Sequence, residues 1–265
     1  MSAAVAVLAV AVLAGCDGAP SRGTASSPRP SPTVSLPYSK PPGGGEVRVV
    51  EQGFSITHDH AEHNPYPRVT YAAILENTSD LVARAVQVQI RVLDRSGKPL
   101  VTEAGMTDGK SGTKALKRVE YILPGERLGI GGSGYTDPYE AASTAAKLEI
   151  TIKTADEWWP RRNGGYCFVA TEATNVELAE RRGETAMVRF DLKTEDNTYN
   201  GVYRGDVVFR DRRGRIVGGG FVWKIQPTAE ESTATIEWGI PLQFDPSRTE
   251  LYVRPLLIQS LDCGR

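Results

Sequence analysis

Val86-Gln87-Val88-Gln89-Ile90-Arg91-Val92-Leu93-Asp94-Arg95-Ser96-Gly97 alternates apolar and polar residues and then stops at a turn. Side chains on a strand point alternately to its two faces, so Val86, Val88, Ile90 and Val92 share one face and Gln87, Gln89 and Arg91 the other. The stretch reads as a strand buried on one side. Asp94 at the first turn position and Gly97 at the fourth suit a type I turn followed by a residue with positive φ.

The same alternation extends in both directions. Val47 and Val49, then Phe54 and Ile56, read as an opening strand; Tyr71, Ala73 and Leu75 alternate next, and Leu148, Ile150 and Ile152 later. The second half of the chain repeats the order. Val188 to Leu192 corresponds to the Tyr71 strand, and Val207-Val208-Phe209 runs into Asp211-Arg212-Arg213-Gly214, the same turn 117 residues after Asp94. Pro227 stands 103 residues after Pro124, and Leu251-Tyr252-Val253 stands 103 after Leu148-Glu149-Ile150. Two constant offsets, with one change between the turn and the proline, indicate an internal duplication with one length difference.

Short strands and regularly spaced turns predict an all-β chain, with two tandem Ig-like antiparallel β-sandwich domains over residues 46–157 and 166–265 and a linker at 158–165. Helix is scarce. Asp137-Pro138-Tyr139-Glu140 carries a capping aspartate, a proline at the first helical position and a glutamate two residues on; it predicts a short connector running to Ala146. Glu76-Asn77-Thr78-Ser79, the Val86 strand with its turn, and Leu123-Pro124-Gly125-Glu126 together resemble the FxLYD-type Ig-like modules of secreted bacterial lipoproteins. The resemblance covers about one domain. It is weaker in the second, where Glu195-Asp196-Asn197-Thr198 and Pro227-Thr228-Ala229-Glu230 stand at the matching places. It implies binding or spacing rather than catalysis.

At the other end of the chain, an apolar run from Ala3 to Leu13 leads into Ala14-Gly15-Cys16. At 11 residues the run is too short to span a bilayer, which takes about 20. The segment has the apolar centre and small-residue end of a signal peptide without its basic start. Leu13-Ala14-Gly15-Cys16 resembles the lipobox of bacterial lipoproteins, in which the cysteine is acylated and the leader is cut just before it. The resemblance implies a signal peptide at residues 1–16, with Cys16 as the lipidation site, and a protein held at the outer face of a cell membrane. An ordinary secretory leader and a short buried helix are the competing readings. Residues 17–45, dense in Pro, Ser, Gly and Thr, lack the apolar surface to offset ordering entropy and predict a disordered tether.

Balanced charge, 31 Lys and Arg against 32 Asp and Glu, gives no warrant for nucleic-acid binding, which needs a strongly basic face. With Cys16 lipidated, Cys167 and Cys263 remain. An even pair in an oxidising compartment predicts a disulfide, worth about 4 kcal/mol on the chain-entropy model; two free thiols or a bond to another protein are the alternatives.

All three histidines fall in His58-Asp59-His60-Ala61-Glu62-His63. His58 and His60 share a side of an extended segment, and a turn at Asn64-Pro65 brings in His63, so a zinc, copper or nickel site is one reading and a polar loop the other. No other cofactor is expected. Gly129-Ile130-Gly131-Gly132-Ser133-Gly134 has the spacing of a dinucleotide loop, but the repeat aligns it with a strand, which is how it is read. Arg210, Arg212, Arg213 and Arg215 crowd the second turn, diluted by Asp206 and Asp211. They read as a solvated tip or as a contact for anionic lipid or wall phosphate. Trp158-Trp159 reads as packing between the two domains or as an exposed patch. Trp223 and Trp238 read as core, and Asn77-Thr78-Ser79 as a turn rather than a glycan acceptor. No catalytic constellation is legible. The expected partners are a membrane, through the anchor, and an envelope protein or cell-wall component.

Overall fold

The structure, a computed structural model, describes residues 37–57, 68–104, 115–137, 139–154, 157–160, 162–163, 166–182, 185–195, 202–227, 232–236 and 239–255. The chain is all-β, as its alternation predicts. In the first half the strands are β1 (Val47–Thr57), β2 (Arg68–Asn77), β3 (Val82–Asp94), β4 (Pro99–Ala104), β5 (Ala115–Ile122), β6 (Arg127–Asp137), β7 (Ala145–Thr154) and β8 (Glu157–Trp159). A two-residue pair, β9 (Arg162–Asn163) with β10 (Tyr166–Cys167), leads to the second half. There follow β11 (Thr171–Arg182), β12 (Thr185–Thr194), β13 (Tyr203–Arg210), β14 (Ile216–Gln226), β15 (Ser232–Ile236) and β16 (Glu250–Pro255). Among the described residues the only helical pieces are two 3₁₀ turns, Tyr139–Thr144, where the short connector was expected, and Pro246–Arg248.

The first half orders its strands β1-β2-β6-β4-β3-β5, with β7 and β8 on the other edge of β3. β4 bridges two layers: Pro99 and Leu100 pair with β3, and Val101 to Ala104 pair with β6. The two layers enclose one core, in which Val69, Tyr71, Ala73 and Leu75 from one side meet Val86, Val88, Ile90 and Val92 from the other. The second half runs β11-β12-β15-β14-β13-β16 around Val188, Phe190, Val207, Phe209, Ile225 and Val253.

The pairing order of the two halves corresponds. β1-β2-β6 matches β11-β12-β15, and β13 lies between β14 and β16 as β3 lies between β5 and β7. β14 is continuous where the first half has β4 and β5, with residues 105–114 between them. The change of offset from 117 to 103 falls in this stretch.

Local geometry follows the residues. The Asp94 carboxylate accepts from the N–H groups of Ser96 and Lys98, Gly97 N–H donates to Asp94 O, and Gly97 sits at φ 85°. Asp211 repeats each contact with Arg213, Arg215 and Gly214, at φ 80°. In β1 the register slips between Val49 and Glu51, leaving Val50 unpaired. This bulge turns the strand by one residue, which is why the apolar positions switch from odd (Val47, Val49) to even (Phe54, Ile56). Buried Asn77 ties the first half together: its amide donates to the Leu81 and Ile122 carbonyls while its oxygen accepts from Ser79 N–H.

Order begins earlier than the tether reading implied. Tyr38 exchanges both backbone hydrogen bonds with Trp158, at 2.9 and 3.0 Å. At Gly45, φ 90°, a Cβ would come within 2.7 Å of Ser79 Cα, so only glycine lets the chain lie against that turn.

Candidate functional site

β2 has two buried faces. Tyr71, Ala73 and Leu75 point into the first core, while Ala72 and Ile74 meet Val208, Ile216 and Tyr252 of the second half. The halves therefore pack against each other through strands β2 and β6 on one side and β13 and β14 on the other.

Glycine makes the approach close. A Cβ on Gly131 would lie 2.5 Å from Val207 O and 2.8 Å from Gly220 N; one on Gly219 would lie 2.8 Å from the Cβ of Ala72 and from Gly131 Cα. Neither distance is sterically possible without backbone movement, so the run beginning Gly129-Ile130-Gly131 and the run Gly218-Gly219-Gly220 permit backbone-to-backbone contact. The dinucleotide-like spacing is thus half of a strand seam.

Polar groups are satisfied across the seam. The buried Thr70 hydroxyl accepts from Gly219 N–H at 2.9 Å and donates to Gly239 O at 2.6 Å. Asp206 in β13 accepts from Gly131 N–H at 3.0 Å and from the Lys117 ammonium. Lys117 also donates to Gly131 O at 2.8 Å and lies 4.9 Å from the Phe221 ring centroid. Burial pushes the Asp206 carboxyl above its usual range, against the opposing pull of Lys117 and Gly131 N–H. Burial, helped by the Asp206 charge, likewise pushes the Tyr71 phenol up.

Arg210 forms a second tie. Its guanidinium donates to Glu250 at 2.6 Å, to Gly214 O at 2.8 Å and to Glu51 of the first half, and its side chain is 14 % exposed. Arg254 forms the third, donating to Glu126 of the first half and to Thr171 and Val253 O.

Several readings made from sequence change here. Arg210 and Asp206 do not belong to a solvated tip; they are inward members of the seam, because the outward face of β13 is covered by the first half. Arg215 pairs locally with Asp211 and is largely exposed. Trp158 joins the first core, and Trp159 packs with Val82, Tyr121, Leu123 and Phe168, the last at the start of the second half. Residues 158–159, placed at the start of the linker 158–165 from sequence, pair with β3, and Trp159 packs between the halves as one of its two readings had it. The Tyr121 hydroxyl donates to Val169 O at 2.7 Å across the same junction.

Cys16, His58, His60, His63 and Cys263 lie outside the described residues, as does Trp238. Cys167 falls in β10. Among the described residues, no group of three or more His, Cys, Asp or Glu is placed to hold a metal ion, and no helix is long and apolar enough to cross a membrane.

One concavity adjoins the seam. A groove of about 460 Å³ lies between β11 and β16 and is bounded by Glu126 and Arg127 at the start of β6. Sequence reasoning missed it, because its walls come from three stretches, 126–127, 171–176 and 247–254, that lie 44 and 71 positions apart along the chain. The seam, by contrast, left one local sign: the two-sided apolar character of Tyr71-Ala72-Ala73-Ile74-Leu75 and of Val207-Val208-Phe209, which requires a second covered face.

Comparison with family models, curated proteins and solved structures finds no match to this chain.

Proposed function

We propose that this chain is a lipid-anchored, non-enzymatic binding protein of a bacterial envelope, built from two Ig-like modules locked into one body and presented at the outer face of the cell membrane. Cys16, at the end of Leu13-Ala14-Gly15-Cys16, carries the lipid. The observation that favours presentation over catalysis is the seam. Two halves joined by glycine backbone contact and by the Asp206, Arg210 and Arg254 ties move as a unit, so position at one end is transmitted to the other.

The joint at Trp158-Trp159 then has no angle to set. Height above the bilayer falls to residues 17–36, which end where Tyr38 docks on Trp158. A chain of these 20 residues spans roughly 25 Å as a coil and about 60 Å when extended. Cys167 and Cys263 would bridge the ends of the second module in that oxidising compartment.

Metabolic labelling with a palmitate analogue tests the anchor. The wild type takes up label and fractionates with membranes, while Cys16→Ser does neither. An unlabelled wild type, or equal label on Cys16→Ser, overturns the proposal.

A further inference from the structure

With Arg210 turned into the seam, three outward arginines remain on the β13–β14 turn: Arg212, Arg213 and Arg215, all exposed. The fold brings two more to them. Arg248 ends the second 3₁₀ turn with its side chain 51 % exposed, and its Nη1 lies 3.7 Å from where a Gly214 Cβ would sit. Arg181, near the end of β11, lies 5.9 Å from the Phe244 ring centroid, and that ring packs on Phe209 of β13. Asp245 N–H donates to Arg210 O at 2.7 Å and fastens this loop to the end of β13. One end of the second half thus gathers five arginines from three stretches of chain.

Acidic groups there are few and already engaged. Asp211 accepts from the Arg213 and Arg215 N–H groups and from the Arg215 side chain. Asp245 caps the 3₁₀ turn through Ser247 and lies 3.6 Å from Arg248. The Ser247 hydrogen bonds, and after them the charges of Arg248 and Arg212, hold the Asp245 carboxyl below its ordinary value. Arg212 and Arg213 are in no ion pair among the described residues. Five arginines against Asp211, Asp245 and the adjacent Glu180 leave a surplus of 5 − 3 = 2 positive charges, in a chain whose net charge is −1.

Folding does not require this charge. The twin turn at Asp94 makes the same backbone contacts with Ser96 at the place of Arg213, and the offset of 103 sets Ala145 opposite Arg248. Nor do the arginines guard a strand edge, the usual structural use of such charge. β13 lies between β14 and β16, and β14 between β15 and β13. Like charges gathered at one end repel one another, so the arrangement suits a partner that brings negative charge.

The direction of the strands selects among anionic partners. The tether meets the body at Gly45, against Ser79, and the neighbouring Asn77 N–H donates to Glu126 O. Glu126 holds Arg254, which faces Arg204 across the β13–β16 ladder. From Arg204 to Arg210 β13 runs away from that end for roughly 20 Å. The arginines therefore lie remote from the point where the tether joins, and an anionic chain outside the membrane meets them before a lipid head group does. Each guanidinium fork takes two oxygens of one phosphate, and a phosphodiester has no proton to regain near neutral pH. A polymer with one such group per repeat engages several arginines at once, as a single phosphate does not.

We propose that the arginine end of the second half binds a phosphodiester polymer of the cell wall, with Arg212, Arg213 and Arg248 as its contact groups. The inference deepens the reading of the chain as an envelope binding protein and rests on it. It fails separately from that reading, because palmitate labelling does not depend on these arginines.

The test is calorimetry of the full chain carrying Cys16→Ser with poly(glycerol phosphate), beside poly-γ-glutamate and vesicles of phosphatidylglycerol and phosphatidylcholine. The phosphate polymer binds, and binds more weakly as salt rises. Arg212→Ala with Arg213→Ala weakens it about tenfold, with an unchanged thermal midpoint because both side chains are exposed. Arg95→Ala with Lys98→Ala removes the same charge from the twin turn and leaves binding as it was. A response to net charge alone would not separate the two double variants. The proposal is overturned if the phosphate polymer does not bind, if both double variants weaken it equally, or if poly-γ-glutamate or the vesicles bind as tightly.

Discussion

Asp206 and Lys117 form an ion pair that belongs to neither half of the molecule: the carboxylate comes from β13, the ammonium from β5, and their side chains are only 18 % and 13 % exposed. Gly131 supplies both its N–H to the acid and its C=O to the base. The pair therefore exists only when the halves are docked, and its loss reports on docking.

Removing one partner leaves a buried charge uncompensated. Asp206→Ala should cost about 3–5 kcal/mol, whereas Asp206→Leu combined with Lys117→Met should lie near the wild type, because a well-packed apolar pair avoids both desolvation costs. Urea titrations of the two single variants and the double variant measure the coupling. A double variant as unstable as the sum of the singles would show that the pair is not coupled.

The raised Asp206 carboxyl sets a sign for pH dependence. Its folded pKa lies above the unfolded value of about 3.9, so between the two the native state holds more protons than the unfolded chain. This group's contribution to stability is greatest below the unfolded value and falls as pH rises through the window. Subtracting the Asp206→Asn stability curve from that of the wild type should leave a downward slope above pH 4; an upward slope there contradicts the assignment.

The seam glycines are constrained by contact, not by φ. Gly131→Ala and Gly219→Ala force backbone apart and should each cost at least the 1–3 kcal/mol typical of overpacking. Gly97→Ala meets open space and is penalised only by its φ of 85°, about 1 kcal/mol. Chemical denaturation ranks the three, and equal effects would mean the halves are not in backbone contact.

Thr70 bonds to two glycines of the second half through a single hydroxyl. Thr70→Val keeps the shape and strands Gly219 N–H and Gly239 O, at a cost of about 1–3 kcal/mol. Hydrogen exchange should show the Gly219 amide losing protection while amides in the first core, such as Val88, keep theirs.

The described residues all belong to one compact unit. Calorimetry of the wild type should give a single transition with equal calorimetric and van't Hoff enthalpies. Gly131→Ala should broaden or split it, as expected when coupling between halves weakens.

The hairpin at Asp94 to Gly97, its echo at Asp211 to Gly214, and the alternation of Val86 to Val92 were all legible one residue at a time. Each depends on short-range geometry: where a side chain points on a pleat, and which residue accepts a positive φ. The phase switch in β1 was visible too, although its cause, the bulge at Val50, needed the partner strand. Ala72 and Ile74 stood between core positions and broke the alternation, a sign of a second covered face that says nothing of what covers it.

Local order along the chain accounts for strands, turns and the inner face of each sheet, since these follow from period and steric preference within a few residues. Which outer faces meet, that Asp206 and Arg210 turn inward while Arg215 stays in water, and that β11 and β16 leave a groove beside Arg127 all arose in three dimensions. Whether a charge is buried depends on a partner arriving from far along the chain, and Lys117 and Asp206 are 89 residues apart. No window of sequence spans that distance; only the docking of two glycine-faced sheets brings such groups together.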